Sequence, residues 1–122
     1  MASMRILVVD DDPAMAEFLV EQLGTSGCES VSAGGVDEAA ELLAVSSFDL
    51  VLSDLHMPPK DGFELLALTR RNWPRTAVIL MSAFPTSETK KQASEAGAAG
   101  FLSKPFSMDA LWEALESLPR PL

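Results

Sequence analysis

Short apolar runs that alternate with longer segments of helical periodicity constrain this fold more than any other feature of the sequence. Three of the runs, at residues 5–9, 50–53 and 77–81, are almost uninterrupted, and two weaker ones lie at 29–33 and 100–102. A short, nearly continuous apolar run is typical of a strand buried on both faces of a parallel sheet. The run at 29–33 is more polar, which predicts a strand at the sheet edge.

The segments between these runs predict five helices. Asp12 stands before Pro13, the order of an N-cap and a first helical residue, and Gly24 marks the end of that helix. The other predicted helices span residues 36–46, 62–72, 86–96 and 107–118, with Thr86 and Ser107 as caps of the last two. Parallel strands need long crossover connections, which helices supply, so the alternation predicts one doubly wound α/β domain.

The charge balance limits the partners of the chain. Nine Lys and Arg residues against eighteen Asp and Glu residues give a net charge of −9. Such an acidic surface repels phosphate backbones and anionic lipids, so we expect neither nucleic acid nor a membrane as a direct partner. The single Cys28 excludes an internal disulfide framework and a cysteine-based zinc site, and it fits a reducing compartment.

The apolar runs are far shorter than the ~20 residues that a membrane helix needs, and the first is too short for a signal-peptide core. We therefore expect a cytoplasmic protein whose domain spans residues 4–118. Residues 1–3 are interpreted as a remnant of cloning, and residues 119–122 as a tail or the beginning of a linker.

Chemically active side chains stand at the carboxyl ends of the predicted strands, where open α/β sheets bind their ligands. They are Asp10 and Asp11 after the first strand, Asp54 after the third, Ser82 after the fourth and Lys104 after the fifth. Converging carboxylates cannot all stay ionised without a cation, and hard oxygen ligands favour Mg²⁺. A lysine and a hydroxyl opposite them suit a phosphoryl group, so the set predicts a phosphoryl-transfer site.

Four motifs in this order resemble the receiver domain of two-component response regulators. They read ILVVDD from residue 6, DLHMP from residue 54, MSA from residue 81 and KPF from residue 104. The resemblance covers essentially the whole chain, from Met4 to about Leu118. It implies a flavodoxin-like three-layer sandwich whose five parallel strands lie in the order 2-1-3-4-5.

The resemblance also implies the roles of the acidic residues. Asp54 would accept a phosphoryl group from the phosphohistidine of a sensor histidine kinase or a phosphotransfer protein, and it would also ligate Mg²⁺. Asp11 would ligate the metal directly, and Asp10 would hold it mainly through water. The backbone carbonyl of His56 would be a further ligand.

Three further residues would respond to the phosphoryl group. Ser82 would hydrogen-bond it, Lys104 would pair with its oxygens through an orientation set by a cis Lys104-Pro105 bond, and Phe101 would be an aromatic switch. The chain would then be a signalling switch rather than an enzyme, assisting only its own phosphorylation and dephosphorylation. Its phosphorylation would change a surface that binds a downstream effector domain or protein, or a second copy.

Some residues depart from the family pattern. Phe101 lacks the hydroxyl of the more common Tyr, so no switch hydrogen bond can form there. Pro59 follows Pro58 and should stiffen the loop after Asp54. We hypothesise that Phe84 screens the attacking water and lengthens the phosphoaspartate lifetime. The last helix contains no Lys or Arg, which argues against a symmetric dimer held by basic residues of that helix.

Two other functions remain open at this point. One is an interaction scaffold with the same fold and no phosphorylation. The other is a Mg²⁺-dependent phosphohydrolase of the haloacid dehalogenase type, whose Asp-x-Asp-x-Thr/Val motif the sequence DDDPA from residue 10 matches only halfway.

Overall fold

The computed structural model describes residues 4–118, so the interpretations of residues 1–3 and 119–122 lie outside the described part of the chain. Seven strands occur in it. They are β1 (Arg5–Val9), β2 (Glu29–Ala33), β3 (Leu50–Asp54), β4 (His56–Met57), β5 (Lys60–Asp61), β6 (Ala77–Ser82) and β7 (Gly100–Ser103).

The five long strands form one parallel sheet in the order β2-β1-β3-β6-β7. Counted among themselves, these strands lie in the predicted order 2-1-3-4-5. The labels differ only because the two-residue strands β4 and β5 pair as an antiparallel ribbon that the sequence analysis missed. Strands this short show no alternation of apolar and polar residues, so no sequence pattern marks them. The prediction that β2 is an edge strand is confirmed.

Four helices connect the strands of the described residues, and a fifth follows β7. They are α1 (Pro13–Thr25), α2 (Val36–Val45), α3 (Gly62–Asn72), α4 (Ser87–Glu95) and α5 (Met108–Glu116). Asp12, Thr86 and Ser107 cap the first, fourth and fifth helices as predicted. The prediction that Gly24 ends α1 is wrong, because the helix continues to Thr25. The left-handed backbone falls instead at Gly27, which has a φ of +84°.

The sheet lies between two helix layers, and each of its faces forms a core. Leu7, Val51 and Leu80 pack on the face covered by α2, α3 and α4, while Ile6 and Leu52 pack with α1 and α5 on the other. Successive strand residues thus belong to opposite cores, as the two-residue period of a strand requires. This arrangement is the predicted three-layer α/β sandwich. Within residues 4–118, none of the helices combines the length and the apolarity that crossing a membrane requires.

Candidate functional site

Three carboxylates meet at the carboxyl ends of the neighbouring strands β1 and β3. Asp10 and Asp11 follow β1, and Asp54 is the last residue of β3 rather than the first residue after it. One oxygen from each of the three lies within 4.8 Å of the others. Asp10 and Asp54 are only 2% and 9% exposed, whereas Asp11 is open to solvent. Oxygen donors gathered in this way provide a candidate site for a divalent cation.

Lys104, which follows β7, extends its ammonium group into this cluster. Its Nζ donates a hydrogen bond to Asp10 Oδ2 at 2.8 Å and lies 3.6 Å from Asp54 Oδ2. The side chain of Lys104 is 14% exposed and that of Asp10 is 1% exposed. Charges so far removed from water interact more strongly than a surface pair does. Lys104 therefore offsets part of the negative charge that the three carboxylates bring together.

The environment of Asp54 opposes its ionisation. Burial raises the pKa of the Asp54 carboxyl above its ordinary value, and the nearby charge of Asp10 raises that pKa further. The Lys104 ammonium acts in the opposite direction and lowers the pKa, as do the nearby backbone N–H groups of Leu55 and His56. A cation bound among these carboxylates would offset their mutual repulsion and favour the ionised form of Asp54. The site therefore fits a metal.

Ser82 ends β6, between β3 and β7, and is fully buried. Its Oγ accepts a hydrogen bond from the N–H of Phe84 at 3.1 Å. Its backbone oxygen accepts one from the N–H of Lys104 at 2.8 Å, which ties the ends of β6 and β7 together. The Lys104-Pro105 peptide bond is cis, as expected. Ser82 and Lys104 thus reach the same end of the sheet as the three carboxylates.

The backbone after Asp54 is held closely to the sheet. The N–H of Leu55 donates to the oxygen of Met81, and the N–H of Gly62 donates to the oxygen of Leu55, both at 2.8 Å. A Cβ at Gly62 would lie 2.7 Å from the backbone oxygen of Asp54, so only glycine fits there. His56 is exposed at the beginning of the β4–β5 ribbon. The Pro58-Pro59 bond within the ribbon is also cis, which the sequence analysis did not anticipate.

The two aromatic residues singled out in the sequence lie in different surroundings. Phe101 on β7 is half-buried and packs against the core that α2, α3 and α4 cover. Phe84, two residues after Ser82, is 81% exposed. Asp12 is not part of the carboxylate cluster, and its Oδ1 caps α1 by accepting from the N–H of Ala14. Its own N–H donates to Asp10 Oδ1 at 3.0 Å, a contact that the sequence analysis missed.

Comparison with known proteins decides the family. The family model of the response regulator receiver domain matches residues 6–116. The chain belongs to the response regulator receiver domains. This assignment confirms the resemblance found in the sequence and decides against the haloacid dehalogenase alternative. It also makes the chain a signalling module of the two-component class.

Individual relatives agree with this assignment. The receiver domain is 37% identical over 120 residues to the response regulator protein PilR of Pseudomonas aeruginosa, covering 98% of this chain and 27% of PilR. It spans about a quarter of the length of the curated relatives PilR and FleR, both from that organism. The shared part is therefore the receiver module.

Solved structures show the same fold along nearly the whole chain. The chemotaxis protein CheY4 of Vibrio cholerae gives a TM-score of 0.90 at 28% identity, covering 97% of this chain and 100% of CheY4. The response regulator TrrA of Thermotoga maritima, solved in complex with Mg²⁺-BeF, gives a TM-score of 0.84 at 33% identity, covering 94% and 99%. These likenesses agree with the flavodoxin-like fold predicted from the sequence.

Proposed function

We propose that this receiver domain accepts a phosphoryl group on Asp54 from a phosphohistidine, carried by a sensor histidine kinase or a phosphotransfer protein. The observation that carries the proposal is the placement of Lys104 Nζ beside Asp10 and Asp54 within a cluster of three carboxylates. A nucleophilic oxygen, a set of cation ligands and a fixed ammonium group are the parts that phosphoryl transfer requires.

Mg²⁺ is the cofactor that we propose for this site. Asp10, Asp11 and Asp54 would hold it with their carboxylates, and the backbone carbonyl of His56 would add a further oxygen. The carboxylate oxygens, which lie within 4.8 Å of one another, are the hard donors that Mg²⁺ prefers. When bound, Mg²⁺ would supply positive charge that favours the ionised Asp54 and stabilises charge on the phosphoryl oxygens. The Mg²⁺-BeF complex of TrrA supports this choice of metal.

In the proposed reaction, a carboxylate oxygen of Asp54 attacks the phosphorus of the donor. A P–O bond forms while the P–N bond to the imidazole breaks, and the imidazole leaves with that electron pair. Asp54 has to be ionised for this attack, and burial works against ionisation by raising its pKa. Lys104 lowers that pKa and so keeps more of the carboxylate in the nucleophilic form.

Ser82 and Lys104 would bind the phosphoryl group once it is attached. The Ser82 oxygen already accepts from the N–H of Phe84, which leaves its hydroxyl proton to donate to a phosphoryl oxygen. Lys104 would pair with another oxygen through its ammonium group. Phe101 would then respond as the aromatic switch, because it lies half-buried on the strand that precedes Lys104.

The chain acts in this proposal as a phosphoacceptor and not as an enzyme with a separate substrate. Phosphorylation would shift the balance between two conformations of one surface. A downstream effector domain, an effector protein or a second copy would bind that surface in one of them. We take residues 4–118 as the functional domain. We further propose a cytoplasmic location, because the lone Cys28 fits a reducing compartment.

Intact-protein mass spectrometry after incubation with Mg²⁺ and acetyl phosphate tests the proposal. We expect one phosphoryl adduct that requires Mg²⁺, that persists in the surface control Asp109→Asn and that is missing in Asp54→Asn. A folded protein without an adduct would favour the phosphorylation-independent scaffold. Hydrolysis of acetyl phosphate by Asp54→Asn would contradict the assignment of Asp54 as the nucleophile.

A further inference from the structure

The outer edge of β2 is open. Within residues 4–118, β2 pairs only with β1. The N–H of Glu29 donates to the oxygen of Met4, and the oxygen of Ala33 accepts from the N–H of Asp10, so these two positions turn their backbone groups toward β1. Because backbone groups of successive strand residues point to alternate sides, the N–H and C=O groups of Ser30 and Ser32 point away from the sheet. They are available to a further strand.

A groove of about 530 Å³ runs along this edge, between β2 and α1. The Ser30 hydroxyl donates to the backbone oxygen of Val20 at 3.4 Å, so the side chains of Ser30 and Ser32 face α1. Val31 on β2 is 39% exposed, and its side chain lies on the opposite face of the sheet from those of Ser30 and Ser32. The groove offers backbone hydrogen-bonding groups, the apolar side chain of Val20 and two exposed carboxylates to a chain lying in it. Its lining is Glu17, Val20, Glu21, Ser30, Val31 and Ser32.

The edge carries little of the protection that keeps sheet edges from pairing. Natural edges are commonly blunted by Lys, by Pro or by a bulge. The β2 sequence ESVSA contains neither Lys nor Pro, and it pairs with β1 in an unbroken register. Its only charged residue, Glu29, already forms an ion pair with Arg5 at 3.2 Å. The edge thus lacks these common barriers to pairing with a further strand.

Charge decides which kind of strand this edge admits. Residues 6–59 contain Asp and Glu but no Lys or Arg. Two copies paired through β2 would bring Glu17 and Glu21 of one copy against those of the other, and like charges facing one another are destabilising. A cationic strand would meet the same carboxylates as partners, so the groove disfavours a second copy and favours a basic segment.

We propose that the β2 edge binds an extended, Lys- or Arg-bearing segment of another protein by strand addition. The backbone of that segment pairs with Ser30 and Ser32, and its basic side chains, which project to one face at every second residue, reach Glu17 and Glu21. This surface lies on α1 and the outermost strand, and its use does not depend on phosphorylation of Asp54.

NMR titration of the ¹⁵N-labelled receiver domain with a capped heptapeptide of alternating lysine and valine tests the proposal. We expect the largest shifts at the amides of Ser30, Ser32, Glu17 and Glu21, and slower hydrogen exchange at Ser30 and Ser32. A peptide N-methylated at the backbone nitrogens of its central valine and the two neighbouring lysines keeps all its charges but cannot extend the ladder in either strand direction, and it should bind at least roughly tenfold more weakly. A peptide with glutamate in place of lysine should not bind.

Variants of the receiver domain separate backbone pairing from charge attraction. Replacing Ser32 by proline removes an N–H that points away from β1 and should weaken binding roughly tenfold, whereas Ser32→Ala keeps that N–H and should bind normally. The double change Glu17→Gln and Glu21→Gln should weaken binding by roughly 2- to 30-fold, as expected for the loss of two exposed ion pairs. The remaining amide spectrum reports whether each variant is folded.

Three results would overturn the proposal. Equal binding of the unmodified and N-methylated peptides would show charge attraction without strand addition. Unchanged β2 amides at about 1 mM peptide would show that the edge takes no basic strand. Shifts at Ser30 and Ser32 that grow with protein concentration in the absence of peptide would identify a second copy as the occupant.

Discussion

The ammonium group of Lys104 is hydrogen-bonded to Asp10 and not to Asp54. Its Nζ lies 2.8 Å from Asp10 Oδ2 and 3.6 Å from Asp54 Oδ2. Asp10 is also one of the three carboxylates that we propose as Mg²⁺ ligands. Lys104 and the proposed Mg²⁺ would therefore compete for the carboxylate of Asp10.

Replacement of Lys104 by methionine should tighten Mg²⁺ binding. Methionine removes the positive charge that competes with the metal for Asp10. Because these buried charges are less screened than a surface pair, we expect the affinity for Mg²⁺ to rise by at least roughly tenfold. Isothermal titration with MgCl₂ measures this effect, and Lys60→Met, which removes a lysine paired with Asp37, is the control. The same Lys104 variant should accept less phosphoryl group from acetyl phosphate. An affinity for Mg²⁺ that stays equal or falls would contradict the competition.

Asp54→Asn should stabilise the metal-free receiver domain at neutral pH. Burial raises the pKa of Asp54 from 3.8, so the folded chain holds this proton more tightly than the unfolded chain does. The free energy of unfolding therefore falls as the pH rises from about 3.8 through the raised value. Asparagine carries no such proton, so the two proteins should converge at acid pH and diverge toward neutral pH.

Thermal unfolding followed by circular dichroism over this pH range measures the divergence. Asp109→Asn controls for the removal of one negative charge at an exposed site. Added Mg²⁺ should narrow the difference at neutral pH, because it binds the wild-type carboxylates and stabilises the folded state. A wild-type protein at least as stable as Asp54→Asn in metal-free buffer at neutral pH would refute the prediction.

Gly62→Ala should destabilise the domain and slow its phosphorylation. An added Cβ would lie 2.7 Å from the backbone oxygen of Asp54 and 3.0 Å from the Cα of Leu55. Because both contacts are to backbone atoms, the main chain near Asp54 would have to move to make room. We expect a loss of about 1–3 kcal/mol in urea unfolding, with a displaced carboxylate reacting more slowly.

Gly24→Ala is the matched control for that substitution. Gly24 lies within α1, and a Cβ there meets nothing within 4 Å. Alanine should therefore stabilise the helix by about 0.5–1 kcal/mol and leave phosphorylation unchanged. Equal stability of the Gly62 and Gly24 variants would show that the close approach at Gly62 is relieved without cost.

Phe84→Ala tests whether this ring controls the phosphoaspartate lifetime. The side chain is 81% exposed, so its removal should change the free energy of unfolding by no more than about 0.5 kcal/mol. If the ring screens the attacking water, the lifetime should shorten in Phe84→Ala and take an intermediate value in Phe84→Leu. Mass spectrometry after removal of the phosphodonor gives the decay rate. A lifetime independent of side-chain size would discard the hypothesis.

The convergence of the site could be predicted because two simple rules determine it. Buried parallel strands are readable as short apolar runs, and their carboxyl ends necessarily lie at one edge of the sheet. Asp10, Asp54, Ser82 and Lys104 follow from those rules without knowledge of any contact. Asp12 could likewise be set apart from the cluster, because an acidic residue before Pro13 has a local role in capping α1.

Other features depend on contacts that a linear pattern does not contain. Lys104 hydrogen-bonds Asp10 and not Asp54 because of the relative positions of these two carboxylates, which different strands contribute. The β4–β5 ribbon is too short to show periodicity. The end of α1 was misplaced at Gly24, although a glycine with a positive φ does follow, three residues later at Gly27. The presence of two nearby glycines does not by itself predict which of them adopts the left-handed conformation.

Under the proposed function, the burial of β3 limits how a phosphodonor can reach Asp54. All five residues of β3 are buried, and the backbone of Leu55, which follows it, is hydrogen-bonded to Met81 and Gly62. This anchoring holds the Asp54 backbone in place, so the donor that we propose has to bring its phosphorus to a recessed carboxylate. A small donor needs only to diffuse in, whereas a protein donor needs an imidazole on a protruding surface that fits the recess. The shape of the donor, and not the flexibility of the receiver, then limits which proteins can phosphorylate it.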